Sequence, residues 1–147
     1  MIQGNITLTQ PHSTSRQFVA TSGTGHHLLI DDAAGNSGAK PIELIAIGLA
    51  GCTAFDVINI LRKKRQEVTA YEVRVEADQA DTPPQVFTSV RLHHLVKGNV
   101  EPRALEDAIR LSEEKYCSVG AMIQRSGAVL HTTFEIVPVD VPAGALV

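Results

Sequence analysis

The chain has 147 residues, with 13 Lys and Arg against 16 Asp and Glu and a formal net charge of −3. That length suits one domain, 1–147, with a substantial core, and the charge, with no large basic face, argues against nucleic acid as a partner. Two cysteines, Cys52 and Cys117, are too few for a disulfide-built scaffold and fit a reducing cytoplasm, and "MIQGNITLTQ" lacks the basic start and apolar core of an export signal.

The first third reads as short strands, "NITLT" (5–9), "RQFVAT" (16–21) and "HHLLIDD" (26–32), separated by the turn-rich "QPHSTS" and "SGTG". "AAGNSGAK" (33–40) is expected to be a flexible connector, and Pro41 suits the first turn of a helix that runs to about Arg65. The helix is long enough to raise a membrane span. It contains Asp56 and Asn59, however, and an Asp near mid-bilayer costs roughly 2.5–3.5 kcal/mol, so a helix surrounded by protein is expected and a membrane is not. It is apolar on almost every side, which is hard to cover in one small domain, so a second subunit is expected to help bury it. The closing "RKKR" (62–65) complements the helix dipole.

Two longer strands follow. "VTAYEVRVEA" (68–77) alternates through Tyr71, Val73 and Val75, and "QVFTSVRLHHLVKG" (85–98) through Val86, Val90, Leu92 and Val96, with "DQADTPP" as the hairpin loop. From Pro102 the pattern turns helical, with Ala104, Leu105, Ala108, Ile109 and Ser112 on one face. A second short helix begins near Cys117 and stops before Gly127. "AVLHTTFEIVPV" (128–139) is a last strand, and the tail "DVPAGALV" has no clear pattern. The order β-β-β-α-β-β-α-α-β indicates an α+β fold with an antiparallel sheet.

On the long helix, Cys52, Asp56, Asn59 and Lys63 fall at i, i+4, i+7 and i+11 and line one stripe. The stripe reads either as a solvated side with Cys52 at its buried end or as a reactive face. Asp56, one turn from Cys52, disfavours a thiolate, so a reactive Cys52 calls for an Arg or Lys from elsewhere. Cys117, in "LSEEKYCSVGAMI", stands at or just before a helix start, where exposed N–H groups lower a thiol pKa. By that argument it is the more activated thiol; the alternative is a small buried residue at a helix junction. Adjacent histidines, His26–His27 and His93–His94, point to opposite faces of their strands, and no Cys or His falls at a zinc spacing. A metal site would need long-range convergence and none is expected. There is no GxGxxG, P-loop or GxSxG, so no bound cofactor is expected either.

Together, "KPIELIAIGLAGCTAFDV" (40–57) and "SEEKYCSVGAMI" (112–123) resemble the OsmC/Ohr family of thiol peroxidases. The first looks like that family's "NPEEL…AACF"-type motif on its central helix and the second like its later cysteine, and the element order agrees over nearly the whole chain. The resemblance implies an OsmC-like fold: antiparallel sheets around a long central buried helix, in an intertwined homodimer with active sites at the subunit interface. It implies reduction of organic hydroperoxides, and of hydrogen peroxide to a lesser degree, in oxidative-stress defence. Cys52 would be the peroxidatic thiol and Cys117 the resolving one, with the Cys52–Cys117 disulfide reduced by an external dithiol or lipoyl-type reductant. This reverses the ranking from the helix dipole.

The resemblance also implies an acidic residue directly after the motif proline, orienting a catalytic Arg. Here that position is Ile42 and the carboxylate is one later, at Glu43. Glu43 is half a turn out of phase with Cys52 on a continuous helix. It contributes if the helix bends, with Gly48 and Gly51 as the bend, if it starts late, or if Glu43 serves the partner's site. In the N-terminal strands Arg16 is the only Arg available. These departures keep a second reading open, a non-enzymatic OsmC-like dimer that binds an apolar ligand or senses redox state at the interface cleft. A third is a structural dimer with inert cysteines.

Overall fold

A computed structural model describes residues 1–139 of the chain, so the closing tail, 140–147, lies outside the described residues. The chain divides into two compact units, Met1–Ile45 and Ala46–Val147.

In the first unit, β1 (Gly4–Leu8), β2 (Phe18–Ser22) and β3 (His27–Ile30) form an antiparallel sheet in the order β1-β2-β3. The connector after β3 is tied down rather than loose. The buried Asp31 carboxylate accepts hydrogen bonds from Ser37 Oγ at 2.5 Å, Asp32 N at 2.7 Å and Ser37 N at 3.1 Å. The Ser37 hydroxyl, then the Asp32 N–H, hold its carboxyl below the ordinary range. A side chain on Gly35 would collide with that carboxylate, so the loop folds tightly around Asp31. The expectation of a flexible linker is corrected by this one buried acceptor.

The remaining elements are α1 (Pro41–Lys63), β4 (Glu67–Gln79), β5 (Phe87–Asn99), α2 (Pro102–Leu111), α3 (Ser118–Arg125) and β6 (Val129–Val137). Their order is the expected α+β sequence and their sheet has the order β4-β5-β6. The expectation of antiparallel sheets fails at one place: β4 and β5 pair antiparallel, but β5 and β6 are parallel, from Ser89↔Val129 to Lys97↔Val137. Two helices lie between β5 and β6 in sequence, and such a crossover returns the chain to the same end of the sheet. Where β4 bulges between Val68 and Ala70, Gly98 sits at φ +139° with the Glu67 carbonyl where a Cβ would go, so the pairing requires glycine there.

β5 is the spine of the core, alternating buried Val90, Leu92, His94 and Val96 with outward residues. Val57 and Leu61 of α1 and Leu105, Ala108 and Ile109 of α2 cluster with Val96. On α1 the buried residues, Leu49, Ala50, Thr53, Val57 and Leu61, form a single stripe, while Ile45, Ile47 and Phe55 are exposed, Phe55 by 78%. One chain therefore covers only part of this apolar helix.

The helix ends at Lys63, two residues before the expected Arg65, in a hydrogen-bonded cap. Arg65 N donates to the Arg62 carbonyl at 3.0 Å and Gln66 N to that of Leu61 at 2.9 Å, with Arg65 at φ +59°. This is the Schellman pattern, in which the left-handed position is normally glycine.

His94 is the buried exception on the apolar face. Tyr71 Oη and His94 Nδ1 are 2.7 Å apart, the rings stack at 5.9 Å, and Nε2 has no partner among the described residues. Burial, helped by the charge of His93, pushes the imidazole down to about 4, and burial alone raises the Tyr71 phenol.

In acid the unfolded chain binds a proton at His94 that the folded chain refuses. Stability should therefore be full above about pH 6.5 and fall by up to roughly 3 kcal/mol as the pH drops toward 4. Urea unfolding across that window should show a shallower pH dependence for His94→Gln; an identical slope would remove His94 as the cause. Arg65→Gly should raise unfolding free energy by roughly 0.5–1 kcal/mol, because glycine adopts positive φ without a Cβ clash. Thermal melts that show no gain would sink that account.

Candidate functional site

Cys52 and Asp56 lie one turn apart on α1, both half-buried. Cys117 reaches them from α3, where it is the N-cap residue and buried. The link is a π-turn, Ser112–Tyr116, which follows α2 and closes with Cys117 N donating to the Ser112 carbonyl at 2.8 Å. The two sulfurs and a carboxylate oxygen of Asp56 all lie within 4.8 Å of one another.

Ser112, fully buried, joins the π-turn to α1. Its hydroxyl donates to Asp56 Oδ2 at 2.9 Å and lies 3.1 Å from Thr53 Oγ1. A serine has one proton to give, so the Ser112 hydroxyl shares it between the Asp56 carboxylate and Thr53 Oγ1. Gly120 N donates to Cys117 Sγ at 3.2 Å, and a Cβ on Gly120 would sit 3.1 Å from that sulfur, so a glycine lets the helix turn come this close.

The helix-dipole expectation of an activated Cys117 fails. Burial, reinforced by the hydrogen bond with Cys52, pushes the Cys117 thiol up to about 12, and the N–H of Gly120 offsets only part of this. Cys52 is the half-exposed thiol and the one a solute reaches first.

Arg16 and Glu43 are each engaged within the N-terminal unit. Arg16 Nε pairs with Asp32 Oδ2 at 2.8 Å, with 76% of its side chain exposed. The Gly35 N–H and this Arg16 contact hold the Asp32 carboxyl below the ordinary range. Glu43 Oε1 accepts the Lys40 N–H at 2.9 Å, the reciprocal half of a capping box at the start of α1. Since α1 begins at Pro41, a late helix start is removed as a route for Glu43. The same unit contains a cavity of about 660 Å³, lined by Ile6, Phe18, Ile30, Pro41 and Ile42, with Arg16, Asp31, Asp32 and Lys40 as its polar groups.

A family model described as OsmC-like protein matches residues 34–132. Protein YhfA of Escherichia coli strain K12 is 36% identical over 121 residues, covering 82% of this chain and 90% of that protein. The chain belongs to the OsmC-like family.

A hypothetical protein from Aquifex aeolicus VF5 superposes on this OsmC-like chain with a TM-score of 0.84 at 28% identity, covering 95% of this chain and 98% of that one. The organic hydroperoxide resistance protein OhrB of Bacillus subtilis superposes at 0.64 and 16% identity, covering 92% and 98%, a likeness of fold. The α+β fold expected from the motifs is thus that of OsmC and Ohr proteins.

Sequence reasoning missed Ser112, Thr53 and Gly120 as part of this OsmC-like site. Ser112 was legible in principle: it shares a face with Ala104, Leu105, Ala108 and Ile109, and a hydroxyl on an apolar face needs a buried partner. Nothing in the spacing announces Gly120, which matters only because of how closely Cys117 folds back.

Proposed function

We propose that this protein is a cysteine-based peroxidase that reduces organic hydroperoxides, and hydrogen peroxide less well, in oxidative-stress defence. One observation carries the reading: two thiols at positions 52 and 117 converge, with a carboxylate, to within 4.8 Å. The names of OhrB of Bacillus subtilis and of an organic hydroperoxide resistance protein from Legionella pneumophila, both of the same fold, support it.

In this reading the Cys52 thiolate attacks the terminal peroxide oxygen and the O–O bond breaks. The alcohol leaves with a proton, and Cys52 becomes a sulfenic acid. Cys117 then condenses with it, releasing water and leaving the Cys52–Cys117 disulfide. An external dithiol or lipoyl-type reductant restores both thiols, in a reducing cytoplasm and with no bound cofactor. Asp56 opposes the thiolate, so a cation must offset it, and the resemblance gives that role to Arg16, oriented by Glu43. Within the N-terminal unit Arg16 is paired with Asp32, and an exposed pair of this kind is weakly held.

The proposal includes a homodimer. Ile45, Ile47 and Phe55 leave an apolar face of α1 uncovered, and a second copy of this chain is the cover that the resemblance implies.

The cavity of the N-terminal unit favours a second reading, a non-enzymatic protein that holds an apolar ligand there. Mass spectrometry after one equivalent of peroxide separates the two. Fast, selective formation of the Cys52–Cys117 disulfide supports the enzyme, and slow, indiscriminate oxidation supports the binder.

With cumene hydroperoxide and a dithiol reductant, the wild type should turn over while Cys52→Ser falls to background, and Cys117→Ser should stall with one added oxygen on Cys52. A wild type no faster than Cys52→Ser would end the peroxidase reading. Light scattering tests the dimer: Phe55→Asp should convert it to monomer, and an unchanged mass would show that this face is not the interface.

A further inference from the structure

We propose that Cys52, Asp56 and Cys117 form a binding site for a thiophilic divalent cation, with zinc the best match, taken up by the reduced protein through two thiolates and one carboxylate. This goes beyond the peroxidase reading, because it requires no hydroperoxide and no turnover.

The donor set decides the class of ion. Two sulfurs and one carboxylate oxygen suit zinc and its borderline-soft neighbours, whereas calcium and magnesium take oxygen ligands. Geometry is close to what a tetrahedral ion needs. Ligand atoms around tetrahedral zinc stand roughly 3.5–4 Å apart, and these three already lie within 4.8 Å of one another, so small side-chain rotations close the set. Cys52 and Asp56 are one turn apart on one face of α1, and Cys117 enters from the separate α3, so the ligands clasp the ion from two elements.

The groups behind the ligands fit as well. The Ser112 hydroxyl holds Asp56 Oδ2 and so fixes the orientation of the carboxylate beside the two sulfurs. The Gly120 N–H is aimed at Cys117 Sγ, an interaction that stabilises a coordinated thiolate. With three protein ligands and two of them half-buried, the fourth position is open to water, the pattern of a reactive rather than a purely structural zinc site. No local spacing such as CxxC encodes the set; it exists only because the π-turn brings Cys117 to α1.

Metal and disulfide exclude each other at these sulfurs. If the peroxidase reading also holds, a hydroperoxide, two protons and the zinc dithiolate yield the disulfide, the alcohol, water and free zinc. The cluster would then release its ion on oxidation.

The test uses the full chain, reduced and free of oxygen, titrated with cobalt(II) as the spectroscopic probe. The expected result is one equivalent bound, with thiolate-to-cobalt charge-transfer absorption that zinc abolishes by displacement. Cys52→Ser should weaken that band, and Asp56→Asn should weaken affinity while keeping it. Ser112→Ala, which leaves all three ligands in place, should bind roughly 10–100-fold more weakly. Circular dichroism establishes that each variant is folded. Absence of a charge-transfer band at stoichiometric cobalt, or equal affinity in wild type and Asp56→Asn, overturns the proposal. Because no peroxide is present, cobalt binding by a protein that fails to turn over cumene hydroperoxide would uphold this site and reject only the peroxidase.

Discussion

The Ser112 hydroxyl, fully buried, donates to Asp56 Oδ2 and lies beside Thr53, so that α1 and the turn after α2 are joined by a short polar chain inside an otherwise apolar contact. A buried hydroxyl without a partner costs about 1–3 kcal/mol, which makes this contact a strong selector of register. A residue either side would present Asp56 to no donor. With Ser112 fixed, the bond from Cys117 N to its carbonyl sets where Cys117 stands, and the site follows from that position.

The cluster so assembled carries opposed demands. Asp56 and the two thiols are all acids, and negative charge on Cys52 or Asp56 adds to burial in raising the Cys117 thiol. Three arrangements relieve the conflict: protons on the sulfurs, a covalent bond between them, or a cation among them. The same packing that brings Cys117 close also buries it, which is why a residue at a helix N-terminus, expected to be acidic, is instead a weak acid. Burial outweighs the helix N–H groups here because Cys117 accepts only one of them, from Gly120.

The N-terminal unit has its own local logic. Glu43 caps the helix that it begins, and Arg16 meets the nearest carboxylate, Asp32. Both arrangements satisfy charges with near neighbours in sequence or sheet, and neither commits the residue deeply. The connector around Asp31 is the opposite case, since one buried carboxylate with three donors orders a segment whose glycines and serines suggest freedom.

The element order, the long helix from Pro41, the Cys52–Asp56 stripe and the α+β class are legible along the chain, because each rests on a period of two or 3.6 or on residues within a turn of one another. The two motif segments also sufficed to point to the OsmC-like family. Tertiary structure decided what depends on contacts between distant segments. The parallel β5–β6 pair, the π-turn that delivers Cys117, the buried Tyr71–His94 pair and the weak acidity of Cys117 have no local period to betray them. His93 and His94 make the division plain: alternation put them on opposite faces, but only packing against the core made one of them a buried imidazole pushed down to about 4. Local pattern fixes which way a side chain points; the environment it meets there, and hence its chemistry, belongs to the fold.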